Sequence, residues 1–383
     1  MLEINDLLDH ETDDEVPEKF VKLSANDLTY ANFFQNYMLK NVPCLIQDAI
    51  DDWPAAKDFV TKDNEPNIEF LDELIGNDKD VQVPVSDCSV KYFNAQEKCS
   101  MTWKEYKNYW YSSRIDIKYL KDWHLARQCP HYKFYQTPSF FGSDWLNEYW
   151  NEIKTDDYKF VYLGPKGSWT PFHTDVYGSF SWSANIAGYK KWIFFPRGKE
   201  PKDVYDIQEI LTDLETNADN KLKENNDFEY FVIVQGPREI IFVPSGWYHQ
   251  VYNITDTLSI NHNWFNATNL EFVWKQLKYE LSRVQDEIKD CFEENDEEWK
   301  ETCQKLLLAN HGMNFTTFLE LLMCIYTRRS NNTATFDGWT YGPRHLKCDM
   351  EKIRQIASKM INTSCKDMLA KDVDKAKHLI SND

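Results

Sequence analysis

The sequence lacks several features that mark common classes of protein. Its nine cysteines in 383 residues are an odd number without a C-x-x-C pair, which argues against a disulfide framework and predicts a reducing compartment. No apolar run approaches the length of a membrane span, and the acidic first residues lack the apolar segment of a secretory signal. These absences predict a cytoplasmic or nuclear protein without a membrane partner.

Basic residues are also scarce relative to acidic ones. The chain has 43 Lys and Arg against 62 Asp and Glu, a formal net charge of -19. Such a chain repels phosphate backbones, so we expect no nucleic-acid partner. An acidic surface suits a basic, lysine-bearing protein substrate, although it more often serves only solubility.

Hydrophobic patterning divides the chain into three regions. Residues 1–130 combine an acidic lead-in with α/β elements, among which 118–126 (KYLKDWHLA) predicts a helix. Residues 131–266 are short β-branched and aromatic segments separated by turn residues, which predicts an all-β barrel or sandwich with a helical, acidic insertion at about Glu200–Asp227. Residues 267–383 have apolar residues at i, i+3 and i+4, which predicts amphipathic helices. These helices could cover the open side of the barrel, form a homodimer interface, or simply buttress the fold.

His173 and Asp175 carry the first chemical signal, in the stretch WTPFHTD. Residues two apart in a strand point to the same face. If that face is the barrel interior, the carboxylate must be paired or coordinated, because a lone buried carboxylate is very costly. A metal would satisfy both groups, but an isolated H-x-D is more often a solvated strand end.

His249 favours the metal-binding interpretation over the solvated strand end. It lies in another strand–turn–strand segment, VPSGWYHQVYN. Two histidines and one aspartate from different strands of one barrel form a 2-His-1-carboxylate triad, which favours non-haem Fe(II) and leaves coordination positions open. Taken alone, His249 would more often be a core histidine bonded to the backbone.

Lys190 is the third element, in the stretch GYKKW. A lysine inside a barrel needs an anion, and a dicarboxylate co-substrate whose keto-acid end chelates iron supplies one. Strand alternation points the neighbouring Lys191 outward. The alternative is a pair of solvated lysines at a strand end.

Together these segments resemble the jumonji-C (JmjC) family of Fe(II)- and 2-oxoglutarate-dependent oxygenases. The resemblance covers roughly residues 130–266, with a typical upstream segment, NVPCLIQDAIDDWPA. It implies a mainly β protein with appended α structure, in which a double-stranded β-helix (a jelly-roll, cupin-like barrel) spans 131–266. The matching stretches are WTPFHTD, GYKKWIFFP, FVPSGWYHQV and SINHNWF.

The resemblance also assigns roles to residues. His173, Asp175 and His249 match the catalytic iron ligands. Lys190 matches the lysine that binds the C5 carboxylate of 2-oxoglutarate, and Thr170 matches a threonine that bonds the same carboxylate.

Further co-substrate positions follow less directly from the resemblance. Tyr132 matches an aromatic hydroxyl on the same carboxylate, and Asn261 and Asn263 match polar positions next to the co-substrate or the iron ligands. Many relatives have asparagine where this sequence has Ser183, and Asn185 is the alternative two residues later on the same face.

The implied reaction uses Fe(II), 2-oxoglutarate and O2 and releases succinate and CO2. Within the family the motifs look most like the branch of jumonji-domain-containing protein four, regarded as lysyl hydroxylases of the translation termination factor. A histone N-methyl-lysine demethylase is the alternative, disfavoured because no zinc-finger spacing is present. A non-catalytic binding barrel ranks last, since it predicts a broken triad.

Overall fold

The computed structural model describes residues 1–5, 16–92, 95–151, 156–200, 229–290, 297–335, 337–364 and 367–381. Within these residues the strands form a nine-stranded and a four-stranded sheet. The strands are β1 Val21–Ser24, β2 Cys44–Gln47, β3 Gln82–Tyr92, β4 Ala95–Thr102, β5 Lys118–Trp123, β6 Lys159–Gly164, β7 Trp169–His173, β8 Phe180–Ala187, β9 Lys190–Phe195, β10 Phe231–Gln235, β11 Ile240–Val243, β12 Tyr248–Asn253 and β13 Thr257–Trp264.

Strands β6 to β13 build a jelly-roll. β6, β8, β11 and β13 belong to the larger sheet, while β7, β9, β10 and β12 make up the smaller one. The two sheets pack face to face, because Leu45 and Ile241 of the larger sheet share a buried cluster with Trp192 and Phe194 of the smaller. Strands that alternate between two packed sheets in this way form the double-stranded β-helix, so the predicted fold class is confirmed.

The N-terminal region extends the larger sheet on both sides. β2 pairs with β11, and β5 joins β3 to β6. The helix predicted at 118–126 was wrong, because residues 118–123 are strand β5 and only Leu125–Gln128 is helical. Hydrogen bonding to two neighbouring strands, together with burial of Tyr119 and Leu120, overrides the local pattern. The region boundaries at 130 and 266 stay predictions.

Helices surround the barrel and form the C-terminal region, as predicted. None of the described helices has the length and apolarity needed to cross a membrane. The insertion expected at about Glu200–Asp227 lies, beyond Glu200, outside the described residues. The helices are α1 Tyr30–Phe33, α2 Ala55–Asp58, α3 Ile68–Ile75, α4 Trp103–Trp110, α5 Leu125–Gln128, α6 Trp145–Tyr149, α7 Leu270–Ile288, α8 Glu297–His311, α9 Phe315–Ser330, α10 Pro343–Ser364 and α11 Ala370–Ser381.

A buried ionic cluster ties the C-terminal helices to the barrel. The Arg329 guanidinium on α9 donates to both carboxylate oxygens of Glu148 on α6, each at 3.0 Å. Its Nε donates to Asp349 on α10 at 2.7 Å. All three side chains are fully buried, so each charge depends on its partners.

Candidate metal and co-substrate site

Three side chains that could hold a metal converge at one end of the barrel. His173 ends β7 and His249 lies near the start of β12, and the two residues pair directly across these antiparallel strands. Asp175 follows β7 by two residues. One potential ligand atom from each of the three side chains lies within 4.8 Å of the other two.

Backbone carbonyls orient both imidazoles. Nδ1 of His173 lies 2.7 Å from the Pro171 carbonyl oxygen, and Nδ1 of His249 lies 3.0 Å from that of Trp247. A carbonyl oxygen only accepts, so each Nδ1 carries a hydrogen and Nε2 is the ring nitrogen left to face a metal. Burial and the neighbouring His249 also lower the pKa of His173 to about 4. Its imidazole is therefore neutral at pH 7, as a metal ligand must be.

The Asp175 carboxylate is held through both of its oxygens. The Ser181 hydroxyl donates to Oδ2 at 2.8 Å, and the Asn263 amide donates to Oδ1 at 3.0 Å. Asn263 thus contacts the carboxylate beside the histidines. Two oriented imidazoles and an oriented carboxylate fit a divalent metal such as Fe(II).

A cavity next to these residues encloses about 460 Å³ of space not filled by protein atoms, part of it open to solvent. Both sheets contribute to its wall. Besides the three candidate ligands, it is lined by Tyr119, Tyr162, Thr170, Ser181, Trp182, Ser183, Lys190, Trp192, Val251, Asn261 and Asn263.

Lys190 brings a buried amine into this cavity. Only 2% of the residue is exposed, and its Nζ donates to the Ser259 hydroxyl at 2.7 Å. No carboxylate of the described residues forms an ion pair with it, and burial lowers the pKa of Lys190 to about 7. A buried amine without an acidic partner fits an anionic ligand that the cavity would admit. Lys191, by contrast, is only half-buried.

Polar groups without partners surround the same space. The Ser183 hydroxyl and the Asn261 side-chain oxygen are buried and make no hydrogen bond to any residue that the structure describes. Thr170 lines the cavity with them. Unpaired buried polar atoms carry a desolvation cost that a polar ligand would relieve, so Ser183 and Asn261 fit a bound co-substrate, and Thr170 adds a hydroxyl to the same wall.

Two of the residues expected at the co-substrate lie elsewhere. The Tyr132 hydroxyl donates to the Asp58 carboxylate, and its ring packs on Phe70, away from the cavity. The Asn185 amide donates to the Gly188 and Gly236 carbonyls at 2.7 and 3.2 Å. Asn185 therefore ties the turn after β8 to the turn after β10, and Ser183 is the residue that faces the cavity.

Sequence patterns did not indicate the tyrosines that line the cavity. Tyr119 on β5 has its hydroxyl 3.5 Å from the Lys190 amine, and Tyr162 on β6 lies beside it. Tyr119 was missed because its segment has a helical pattern. Ser181 could have been found, since it precedes Ser183 by two residues and shares its face of β8.

Comparisons with known proteins identify the family of this chain. Residues 160–264 match the family described as JmjC domain, hydroxylase. The Drosophila melanogaster protein named 2-oxoglutarate and iron-dependent oxygenase JMJD4 homolog is 39% identical over 90% of this chain and 88% of its own length. The Homo sapiens 2-oxoglutarate and iron-dependent oxygenase JMJD4 is 38% identical over 87% of this chain and 82% of its own.

A plant protein is also similar. The Arabidopsis thaliana protein named Arginine-specific demethylase JMJ20 is 38% identical over 78% of this chain and 68% of its own length. The extent and level of identity to the animal proteins go well beyond a shared barrel. This chain therefore belongs to the JMJD4 group of JmjC-domain 2-oxoglutarate and iron-dependent oxygenases.

Proposed function

We propose that His173, Asp175 and His249 bind the Fe(II) of this oxygenase and that Lys190 binds the C5 carboxylate of 2-oxoglutarate. The observation that carries this proposal is the buried Lys190 amine, which has no acidic partner among the described residues and lines the same cavity as the three candidate ligands. Thr170, alongside them, supplies a hydroxyl for the same carboxylate.

The remaining cavity residues complete the co-substrate site. Ser183 and Asn261 have free hydrogen-bonding atoms there, and the Tyr119 hydroxyl next to Lys190 takes the place that the sequence suggested for Tyr132. Trp192 and Val251 add apolar wall, which limits access of water to the reacting groups.

The chemistry divides between cofactors and protein. When bound, Fe(II) and 2-oxoglutarate with O2 convert the keto acid to succinate and CO2, and one oxygen atom enters a substrate C–H bond to give an alcohol. The protein offers the two Nε2 lone pairs, holds the Asp175 carboxylate through Ser181 and Asn263, and fixes the co-substrate through the Lys190 ammonium. The oxygenation reaction does not require a side-chain acid or base.

We propose that the substrate is a lysine side-chain carbon in a translation termination factor. The motifs in and around the barrel resemble a branch regarded as lysyl hydroxylases of that factor. The net charge of -19 favours encounter with a basic, lysine-bearing segment.

The second candidate is removal of an N-methyl group. The same oxygen insertion at an N-methyl carbon releases that carbon as formaldehyde. The Arabidopsis relative named as an arginine-specific demethylase supports this candidate for arginine, and the sequence alone suggested methylated histone lysine as another substrate.

One experiment separates these activities. The full chain is incubated with Fe(II), 2-oxoglutarate and either purified termination factor or methylated histone peptides, and the products are read by peptide mass spectrometry. We expect one added oxygen atom on a single lysine of the factor and none when that lysine is replaced by arginine. Loss of a methyl group with formaldehyde release, and an unmodified factor, would instead establish the demethylase.

A further inference from the structure

Tyr177 has an unusual backbone conformation two residues after Asp175. Its φ and ψ are 61° and 8°, in the left-handed region, and only 3% of the residue is exposed. Bulky side chains rarely adopt this conformation. It persists only where the surrounding structure imposes it, so the contacts of Tyr177 determine the shape of the turn that follows Asp175.

Hydrogen bonds connect Tyr177 back to Asp175. Its hydroxyl bonds the hydroxyl of Tyr158. The Tyr158 carbonyl accepts from the backbone N–H of Asn263 at 3.0 Å, and the Asn263 amide donates to Asp175 at 3.0 Å. A displacement of the Tyr177 ring would therefore reach the Asp175 carboxylate both along the chain and through Asn263.

The C-terminal helical region closes around the same ring. His311, the last residue of α8, packs edge-on against Tyr177 with ring centroids 5.2 Å apart. Gly312 follows with a φ of +79°, and a Cβ at this position would lie 2.6 Å from the Tyr177 hydroxyl oxygen. Gly178 in turn lies against Gln276 of α7, where a Cβ would be 3.5 Å from the Gln276 Cβ.

We infer that the His311–Gly312 turn is a positioning element for Asp175 and acts through Tyr177. The inference rests on the proposed function, since it takes Asp175 as a metal ligand. Tyr177 and Gly312 are positioning residues, because neither lines the cavity. The C-terminal helices then have a role that the sequence left open: they hold the turn in which the carboxylate ligand is presented.

Two glycines provide a matched test. Gly312 and Gly338 both have a φ of +79°, but no atom of the described part of the chain lies within 4 Å of a Cβ added at Gly338. Gly312→Ala and Gly338→Ala therefore share the backbone strain, and only Gly312→Ala displaces Tyr177. We expect Gly312→Ala to weaken binding of Mn(II), used as a probe and followed by electron paramagnetic resonance, by about tenfold. Gly338→Ala should leave it near the parent value.

Removing the Tyr177 hydroxyl tests whether the effect of Gly312→Ala passes through Tyr177. A Cβ at position 312 would lie 3.7 Å from the Tyr177 Cζ, an ordinary contact, so Tyr177→Phe relieves the clash. The double variant should bind Mn(II) as Tyr177→Phe alone does, which is the non-additive result expected for groups in contact. Independent effects that add would contradict the inference.

The outcomes separate the inference from the proposed function. If His173→Ala leaves Mn(II) affinity unchanged, the proposed metal site is wrong. If His173→Ala abolishes binding while Gly312→Ala matches Gly338→Ala, only the inference fails. If Gly312→Ala does not fold, Tyr177→Phe and Tyr158→Phe test the inference instead. Each removes the hydrogen bond between the two tyrosine hydroxyls without introducing a clash. Equal weakening of Mn(II) binding supports the inference, and unchanged affinity overturns it.

Discussion

His173 and His249 lie side by side on antiparallel strands, with their ring centroids 4.3 Å apart. The two residues pair directly, and the register then shifts between His249 and Val251, so that Val251 pairs with Thr170. A register shift of this kind bends a strand and redirects its side chains. The shift brings both imidazoles, Thr170 and Val251 to one cavity. His173 and Thr170 are three residues apart on β7, and in a regular ladder their partners on β12 would also be three apart. Here the partners are only two residues apart.

Removal of either imidazole should abolish the metal site. We expect His249→Ala to lower succinate formation at least about a hundredfold, more than the loss of a group that only orients a ligand. His131→Ala is the matched control, because His131 is exposed on the surface. Turnover by His249→Ala at the rate of the control would show that the metal lies elsewhere.

Two serines on one face of β8 should have separable effects. Ser181 bonds the Asp175 carboxylate, whereas the Ser183 hydroxyl has no hydrogen-bond partner among the described residues. Ser181→Ala should weaken Mn(II) binding about tenfold with little effect on 2-oxoglutarate affinity in saturating metal. Ser183→Ala should do the reverse. Titration calorimetry measures both affinities, and equal effects of the two variants on metal binding would contradict the assignment.

Lys190 should reduce stability in the absence of co-substrate. Its amine is buried without an acidic partner among the described residues, so Lys190→Met should raise the free energy of unfolding by about 1–2 kcal/mol while abolishing 2-oxoglutarate binding. Lys191→Met, on the half-buried neighbour, should leave binding intact. Denaturant unfolding and calorimetry test the pair, and a Lys190→Met protein that binds 2-oxoglutarate normally would remove Lys190 from the site.

Co-substrate binding should take up a proton above neutral pH. Burial lowers the pKa of Lys190 to about 7 in the ligand-free protein, so its amine is mostly neutral at pH 8.5. A bound carboxylate favours the charged form and raises this pKa. Affinity for 2-oxoglutarate should therefore fall as the pH rises above about 7, by up to about tenfold per pH unit.

The direction of proton transfer on 2-oxoglutarate binding can be measured directly. Calorimetry at pH 8.5 in two buffers of different ionisation enthalpy should show proton uptake, and Lys190→Met should show none. Without co-substrate the unfolded chain binds the Lys190 proton more tightly than the folded chain. The contribution of this group to stability therefore increases as the pH rises from about 7 towards about 10. Proton release when 2-oxoglutarate binds at pH 8.5 would contradict the assignment of Lys190 to the co-substrate site.

The buried Arg329 should be far more important for stability than an exposed arginine. Arg329→Met leaves the Glu148 and Asp349 carboxylates buried without this partner and should cost about 3–5 kcal/mol of unfolding free energy. Arg283→Met removes a largely exposed ion pair with Glu280 and should cost at most about 1 kcal/mol. Denaturant titration compares the two, and equal losses would show that the cluster does not depend on Arg329.

The sequence alone determined the parts of the site that lie close together along the chain or follow from strand alternation. Spacing predicted that His173 and Asp175 lie together, and alternation pointed Lys190 inward and Lys191 outward. The lysine pair follows alternation because the period of two is a property of any β-strand, whereas Asp175 lies two residues beyond the end of β7. The resemblance carried by four short motifs then led to the jelly-roll and to the family.

Only the tertiary structure decided which residues complete the cavity. Tyr119 reaches Lys190 from β5, a strand whose pairing with β6 and β3 brings together residues distant in sequence. Ser183 lines the cavity and Asn185 does not, because the Asn185 amide is bonded to the Gly188 and Gly236 carbonyls. Pairing partners and register shifts depend on long-range contacts, and local sequence patterns carry little information about them.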